Sequence, residues 1–349
     1  MRHRLREHCV DFHCHAESEA VPFPARRRNA RSGGNESAGK HGSINLRRWL
    51  IVTLLGTLLS LPGAILAEDG ALHIIPYRPV LSISGAMKLP SDVGLDRSGR
   101  IFVLDGTADT VRVYSPKGEP LFTLGGPGIL QQPLGLDVSA AGDVLVADSG
   151  KHRLALFPAE EKVPHYIDVP APADGKPSDP TDVHFGPENT FVVVDNDNHR
   201  VLALTGSGKS VWAQGTMGRN PNEFRFPFLM DMDRHGKIYV VEAINTRVQV
   251  LEPQGEYSNF IGEWGIEPGQ FFRPKGVAVS DSDEVFTSDS YLGVIQIFNP
   301  DGKLRGVIGD EKGNVAKFKT PVGMAVSGNR LYVVEMFGNR VLVLERQGE

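Results

Sequence analysis

The 349-residue sequence has little cysteine, and its two cysteines, Cys9 and Cys14, both lie near the amino terminus. The rest of the chain therefore has no disulfide and must be stabilised by burial of apolar side chains. The chain also lacks a Gly-x-Ser-x-Gly nucleophile elbow, a Walker phosphate loop and a His-Glu-x-x-His zinc motif. These absences argue against the common serine hydrolase, nucleotide-binding and metalloprotease classes.

An excess of basic residues is also missing. Residues 68–349 carry ten more acidic than basic side chains. Affinity for DNA or RNA depends mainly on Lys and Arg side chains that neutralise phosphates. We therefore expect no nucleic-acid partner.

The first 44 residues combine Arg, Gly, Ser and Asn with several histidines close to Cys9 and Cys14. A folded zinc site usually needs a second pair of ligands about 12 or more residues further on, and no such pair follows. The composition is typical of a disordered segment. We predict that residues 1–44 form a disordered basic leader.

Residues 45–67 contain the clearest targeting signal. Arg47 and Arg48 precede an uncharged apolar run, residues 49–67. Such a run is typical of a cleaved signal peptide or of a membrane-spanning anchor, and both alternatives remain open. Because positive charge ahead of the run keeps the amino terminus in the cytoplasm, we expect the rest of the chain to be extracytoplasmic. It would be periplasmic, secreted, or anchored to the membrane through residues 49–67.

One short pattern of residues recurs six times in the remainder of the chain. Each copy opens with a proline, and after a first step of 43 residues the copies follow every 47 residues: Pro90, Pro133, Pro180, Pro227, Pro274 and Pro321. An acidic residue ends the second apolar run of each copy: Asp105, Asp148, Asp195, Glu242, Asp289 and Glu335. A period in the mid-forties with several short strands per unit is the signature of a β-propeller.

Within each copy, runs of β-branched and aromatic residues alternate with Pro-Gly, Asp-Gly or Ser-Gly turns, which is typical of antiparallel meanders. The last copy lacks a fourth strand, whereas an extra strand, residues 79–85, precedes the first copy. We predict an all-β, six-bladed β-propeller over residues 80–349, in which this N-terminal strand closes the last blade and leaves no exposed sheet edge. Residues 68–79 are predicted to be a linker.

The repeat resembles the NHL repeats of six-bladed propellers. The resemblance is carried by Pro274-Lys-Gly-Val-Ala-Val279 and by Asn245-Thr-Arg-Val-Gln-Val250, and it covers roughly residues 80–349. It implies the propeller fold. It leaves the activity open, because that family includes scaffolds, sensor domains, RNA binders and a few enzymes, and a fold does not by itself define a function.

An acid followed five residues later by Arg is the most regular polar pair of the repeat. The pairs are Asp148/Arg153, Asp195/Arg200, Glu242/Arg247 and Glu335/Arg340. A carboxylate at a strand end needs a partner when it is buried. Because the pair recurs in four copies, we predict a structural staple rather than a catalytic group.

The innermost strands alternate apolar residues with residues that face the central axis. At one level those residues are Gly94, Asp137, His184, Asp231, Ala278 and Ala325, and Asp92 and Asp182 lie one step earlier. A carboxylate-imidazole-carboxylate cluster can hold a divalent metal or a ligand, or raise the pKa of the histidine. The alternative is a water-filled channel with polar walls. Any cofactor is therefore unknown, and a divalent metal in the channel is an open hypothesis.

Turns between second and third strands share one face of a propeller. We expect this face to contact a protein or small-molecule partner, because apolar tips are poor choices for solvated loops. The residues predicted to contact the partner are Asn198, His199, Asn245, Tyr291, Leu292, Met336 and Phe337. The sequence thus favours an extracytoplasmic binding or scaffolding module. The alternative is a metal-dependent lyase or hydrolase with its site in the channel, although a single channel histidine departs from the several zinc-binding histidines of the peptide-amidating lyase that such propellers resemble.

Overall fold

The structure, a computed structural model, describes residues 72–159 and 161–348, which form an all-β, propeller-like arrangement. Short strands of three to seven residues predominate, because the turn residues recur at short intervals. Three 3₁₀ turns interrupt them, at Ser149–Lys151, Pro187–Asn189 and Met336–Gly338.

Four antiparallel sheets contain four strands each, and their strands are paired in chain order. Sheet I consists of β2 (Pro90–Leu95), β3 (Ile101–Asp105), β4 (Thr110–Tyr114) and β5 (Pro120–Gly125). Sheet II consists of β6 (Leu136–Val138), β7 (Val144–Asp148), β8 (Arg153–Phe157) and β9 (His165–Asp168). Sheet III consists of β10 (Pro180–Phe185), β11 (Thr190–Asp195), β12 (Arg200–Thr205) and β13 (Ser210–Gln214). Sheet IV consists of β16 (Pro227–Met232), β17 (Ile238–Glu242), β18 (Arg247–Leu251) and β19 (Tyr257–Ile261).

A short parallel pair lies in the connection between sheets III and IV. It is formed by β14 (Thr216–Met217) and β15 (Glu223–Phe224). The connection therefore folds back on itself before β16 begins.

The remaining strands form one eight-stranded sheet. One half, called half V, consists of β20 (Pro274–Val279), β21 (Val285–Asp289), β22 (Val294–Phe298) and β23 (Leu304–Gly309). The other, half VI, consists of β24 (Pro321–Ser327), β25 (Arg330–Glu335), β26 (Arg340–Arg346) and the first strand of the described chain, β1 (Ile74–Ser84).

Strand β1 joins the two halves. Its residues from Tyr77 to Ser84 pair antiparallel with β26, as the sequence predicted, and Ile74 to Pro76 pair parallel with β23. The strand thus begins within the segment predicted to be a linker, residues 68–79, and six residues before the predicted start of the propeller. Residues 74–79 of the predicted linker therefore belong to β1, and nothing in the sequence pattern indicated the pairing with β23.

Apolar side chains are buried between successive sheets. One cluster is shared by sheets I and II, and further clusters are shared by II and III, III and IV, IV and half V, and the two halves. Another cluster joins half VI to sheet I, with Ile83 of β1 and Tyr114 of β4 among its members. Each sheet therefore packs on two neighbours, and burying one such aliphatic or aromatic side chain is worth about 1.5–3 kcal/mol.

The turns between second and third strands have a common backbone conformation. The residue just before each third strand has a positive φ: Asp109, His152, His199, Thr246, Gly293 and Asn339. Only Gly293 adopts this conformation without steric cost. The repeat therefore includes one left-handed residue that turns the chain into each third strand.

The predicted leader and apolar run, residues 1–44 and 45–67, lie outside the described residues. Within residues 72–159 and 161–348, no helix is long and apolar enough to cross a membrane.

Candidate functional site

The inner strands β2, β6, β10, β16, β20 and β24 surround a central cavity of about 180 Å³. Four of the five predicted channel residues line it: Asp92, Asp137, His184 and Asp231. The fifth, Asp182, is only 1 % exposed and lies on β10 two residues before His184. The structure therefore brings the predicted channel residues together.

His184 lies between two carboxylates. Its Nδ1 atom is 3.3 Å from Oδ2 of Asp137 and 3.8 Å from Oδ1 of Asp231. Burial alone would lower the pKa of His184, but the carboxylates of Asp137, Asp231 and Asp182 together raise this pKa well above 6.5. Burial alone would raise the pKa of Asp137, but the charge of His184 and the hydrogen bonds to the carboxylate lower it below 3.8.

Each channel aspartate also joins two neighbouring sheets. One carboxylate oxygen accepts the N–H of the next residue, and the other accepts an N–H from the inner strand of the following sheet, at 2.6–3.0 Å. The donors on the following sheet are Leu136 for Asp92, Phe185 for Asp137, Met230 for Asp182 and Val279 for Asp231. These bonds link sheets that share no ladder hydrogen bonds at their inner strands.

Burial dominates the protonation of the other three aspartates. It raises the pKa of Asp92 to about 7 and that of Asp231 to about 6, although backbone N–H bonds and the charge of His184 oppose the shift. The pKa of Asp182 is also raised well above 3.8, by burial and by the neighbouring charge of Asp92. The channel therefore combines a histidine whose pKa is raised by carboxylates with three aspartates whose pKa values are raised by burial.

The hypothesis of a divalent metal finds no support in this geometry. Among the described residues, no group of three or more His, Cys, Asp or Glu side chains is placed to hold a metal ion. In the channel, both oxygens of each aspartate already accept backbone N–H groups.

All four predicted acid-arginine pairs are in contact. The Nε atom of the arginine lies 2.6–2.9 Å from the carboxylate in Asp148/Arg153, Asp195/Arg200 and Glu242/Arg247, and Glu335 and Arg340 also form an ion pair. The four acids are at most 1 % exposed.

The same carboxylates accept N–H groups of the connection that leads to the adjacent inner strand. The donors include Gln131 for Asp148, Asp179 for Asp195, Arg225 for Glu242 and Lys319 for Glu335. Each pair therefore holds a second-to-third-strand turn next to such a connection. We call the surface formed by these turns and connections the loop face.

The partners of the other two repeated acids, Asp105 and Asp289, were not predicted from the sequence. Arg112, seven residues after Asp105, places its Nε atom 3.5 Å from Oδ2 of that aspartate. Asp289 instead accepts four backbone N–H groups, two of them from Tyr291 and Leu292 in the following turn. A search for arginine five residues after each acid could not find the contact of Arg112 with Asp105 or the backbone bonds to Asp289. Arg112 itself, seven residues after Asp105, was visible in the sequence.

Two of the predicted partner-contact residues are used inside the protein. The Asn198 amide donates to Asp195 and to the carbonyl of Lys176, and the Asn245 amide donates to Glu242 and to the carbonyl of Gly218. These side chains stabilise the turns of the loop face, and their role as partner-contact residues stays a prediction.

The other predicted contact residues lie on the loop face. His199 packs edge-on against Phe226, with ring centroids 4.6 Å apart, and Leu292 and Met336 are half-buried. Tyr291 and Phe337 are 63 % and 49 % exposed.

The most exposed apolar residues of this face were not predicted. Trp264 and Ile266 are 70 % and 68 % exposed in the connection between β19 and β20. The backbones of Trp264 and Phe271 form an isolated parallel β-bridge. The residue after Phe271 is Phe272, and the centroid of its ring lies 4.5 Å from the ring centroid of Tyr291. A signal was present in the sequence, because the preceding copy also has an apolar residue, Met217, at the position of Trp264. In the structure Met217 is 59 % exposed.

Comparisons with known proteins agree with this architecture. The family model of the NHL repeat matches residues 130–157, and no curated protein matches the sequence. A gluconolactonase from Xanthomonas campestris superposes with a TM-score of 0.59 at 13 % identity, covering 79 % of this chain and 96 % of that one. A virginiamycin B lyase from Staphylococcus aureus gives 0.56 at 13 %, covering 78 % and 100 %. A streptogramin B lyase gives 0.55 at 13 %, covering 78 % and 98 %.

At this identity the superpositions show the fold alone. Together with the NHL match, they confirm the resemblance to NHL-repeat β-propellers.

Proposed function

We propose that this protein is a six-bladed, NHL-type β-propeller that acts as an extracytoplasmic binding module, with a protein partner on the loop face. In this proposal sheets I–IV are four blades and the eight-stranded sheet counts as two, with β1 as the outer strand of the last blade. The packing of half VI on sheet I supports a closed ring.

The observation that carries the proposal is a group of apolar residues on the loop face, Trp264, Ile266, Phe272 and Tyr291, which we call the aromatic patch. Three of its members are more than 60 % exposed, and all four come from one connection and the adjacent turn of half V. Large exposed apolar residues that are contiguous mark interaction sites. Trp and Tyr are also the residues that most often dominate the binding energy of protein interfaces.

Substitution of the patch tests this proposal. The triple variant Trp264→Ser, Ile266→Ser, Tyr291→Ser should lose its partner, with at least tenfold weaker binding, because each truncated anchor typically costs more than about 1 kcal/mol. Val163→Ser with Val211→Ser is the matched control, since these valines are 75 % and 55 % exposed but lie off the loop face.

A photoreactive side chain provides the readout. Placed at Tyr291, it should crosslink a defined partner in intact cells, and the same group at Val163 should not. Equal crosslinking from both positions, or partner retention by the triple variant, contradicts the proposal.

The extracytoplasmic location rests on Arg47, Arg48 and the apolar run that follows them. A reporter that is active only in the cytoplasm, fused after Glu349, should therefore be silent. The same fusion lacking residues 1–67 should be active. An active full-length fusion would exclude export.

The alternative of a metal-dependent lyase or hydrolase in the channel has weaker support. The described channel carboxylates each accept two backbone N–H bonds, as expected of groups that hold sheets together. We therefore assign the binding role to the loop face.

A further inference from the structure

A second cavity, of about 250 Å³, lies where half VI meets sheet I. We call it the seam cavity. Strand β1 forms one wall, with Ile83 and Ser84, and strands β4 and β5 form the other, with Arg112, Val113 and Phe122. It shares no lining residue with the central cavity and none with the aromatic patch.

The repeat shows what occupies the equivalent place at other junctions. Gln249 of β18 and Gln296 of β22 stand seven residues after the repeated acid, where sheet I has Arg112. Gln249 accepts the N–H of Asn222 at 2.8 Å and donates to the carbonyl of Glu223 at 3.2 Å. Gln296 does the same with the backbone of Gly269 and Gln270, at 2.8 and 2.7 Å. In both cases a connection folds back and supplies a carbonyl acceptor to this side chain.

The connection at the seam is too short to do this. Residues 215–226 and 262–273 lead into β16 and β20, whereas only residues 85–89 separate β1 from β2. These five residues turn directly into β2, so no backbone carbonyl reaches the side chain at this position. At this junction the seam cavity lies beside Arg112.

Arg112 is consequently short of acceptors. Its Nε atom is buried without a hydrogen-bond partner, and Asp105 lies 3.5 Å away, further than in the other acid-arginine pairs. Asp105 is fully buried and already accepts the N–H groups of Lys88 and Leu89. A guanidinium in this state favours a planar anion that can accept two N–H bonds.

We propose that the seam cavity binds a small monocarboxylic acid with an apolar body, whose carboxylate pairs with Arg112. Ile83 and Tyr114, which belong to the apolar cluster between half VI and sheet I, would contact the apolar body, and Thr123 pairs with Arg112 on the same side of sheet I. The volume is sufficient, because a cavity of about 150 Å³ holds benzene. This site is independent of the partner proposed for the loop face.

Titration of the full chain with 3-phenylpropionate, followed by ligand-observed NMR, tests the proposal. We expect saturable binding, and binding at least about tenfold weaker for the neutral analogue 3-phenylpropionamide, because charge-assisted hydrogen bonds to Arg would be lost. Arg112→Gln should weaken binding of the acid by about ten- to a hundredfold for the same reason.

Because Arg112→Gln leaves Asp105 without its cation and could unfold the chain, a second variant is needed. Thr123→Trp fills the cavity from the exposed strand β5, on the same side as Arg112, and leaves Arg112 in place, so it should abolish binding without lowering the thermal midpoint. Val163→Ser, remote from the seam, should bind normally. Equal affinity for acid and amide, unchanged affinity in Thr123→Trp, or no saturable binding up to about 10 mM acid would each overturn the proposal.

Discussion

Oδ2 of Asp182 accepts the backbone N–H of Met230 at 2.7 Å and thereby connects sheet III to sheet IV. The other oxygen accepts the N–H of Val183 at 2.9 Å. The same arrangement recurs in Asp92, Asp137 and Asp231. Successive sheets are thus joined near the axis by side chains, in addition to the apolar contacts further out.

Asp182→Ala should therefore destabilise the protein. It removes the acceptor of two buried N–H groups, each worth about 1–3 kcal/mol when left unsatisfied, so we expect a loss of about 2–6 kcal/mol in urea unfolding. Asp301→Ala, in an exposed turn, is the control and should change stability by less than about 0.5 kcal/mol. Equal effects of the two variants would contradict a linking role.

Arg247→Ala should have a comparable or larger effect. Its partner Glu242 is fully buried and Nε lies 2.6 Å from Oε1, and removing one member of a buried ion pair costs about 3–5 kcal/mol. Arg234 pairs with Asp283 at the surface, where its side chain is 59 % exposed, so Arg234→Ala should cost at most about 1 kcal/mol. A smaller loss for Arg247→Ala than for Arg234→Ala would exclude the staple role.

His184 should remain protonated above pH 6.5. Because its pKa is raised in the folded state by Asp137 and Asp231, its contribution to stability is present at low pH and is lost as pH rises through the folded pKa. Asp137→Asn should lower this pKa, as measured by NMR titration of the ring. Asp281→Asn, at an exposed turn, should leave it unchanged, and an unaltered pKa in Asp137→Asn would show that the carboxylate does not act on the ring.

Asp92 should make stability fall as pH rises from about 4 to 7. Its pKa is raised from 3.8 to about 7 in the folded state, chiefly by burial, so the folded protein binds more protons than the unfolded chain across this window. Unfolding free energies measured at several pH values should show a smaller fall in Asp92→Asn than in the wild type. Parallel curves for the two proteins would contradict the raised pKa.

Removal of β1 should abolish cooperative folding. A chain that begins at residue 88 lacks Ile75, Tyr77 and Ile83, whose burial is worth roughly 5–9 kcal/mol in total, a large share of the 5–15 kcal/mol typical of a folded protein. A chain that begins at residue 72 keeps β1 and is the control. Similar thermal unfolding of the two chains would show that β1 is dispensable.

The sequence was sufficient to predict the elements that repeat. The prolines, the acids and the strand alternation predicted the sheets, and they placed Asp137, His184 and Asp231 at one level because equivalent positions in neighbouring copies face the same axis. The antiparallel pairing of β1 with β26 could also be predicted, since the last copy lacks a fourth strand.

Features that depend on contacts between copies could not be predicted. The bond from Asp182 to Met230 depends on the stagger of two inner strands that are 48 residues apart in the chain. The hydrogen bonds of the Asn198 and Asn245 side chains within the protein depend on the turn conformation, in which the next residues, His199 and Thr246, have positive φ. The pairing of Ile74 with Val307 leaves no periodic trace, because β1 occurs once.

The position of β1 also bears on how the protein is synthesised. Arg78 of β1 and Glu345 of β26 form an ion pair although they are 267 positions apart. At about 5–20 residues per second, a ribosome needs tens of seconds to produce the partner strand after β1. During that time β1 exposes unpaired N–H and C=O groups to solvent or to a chaperone, and its docking onto β26 has to be a late event in the maturation of each molecule.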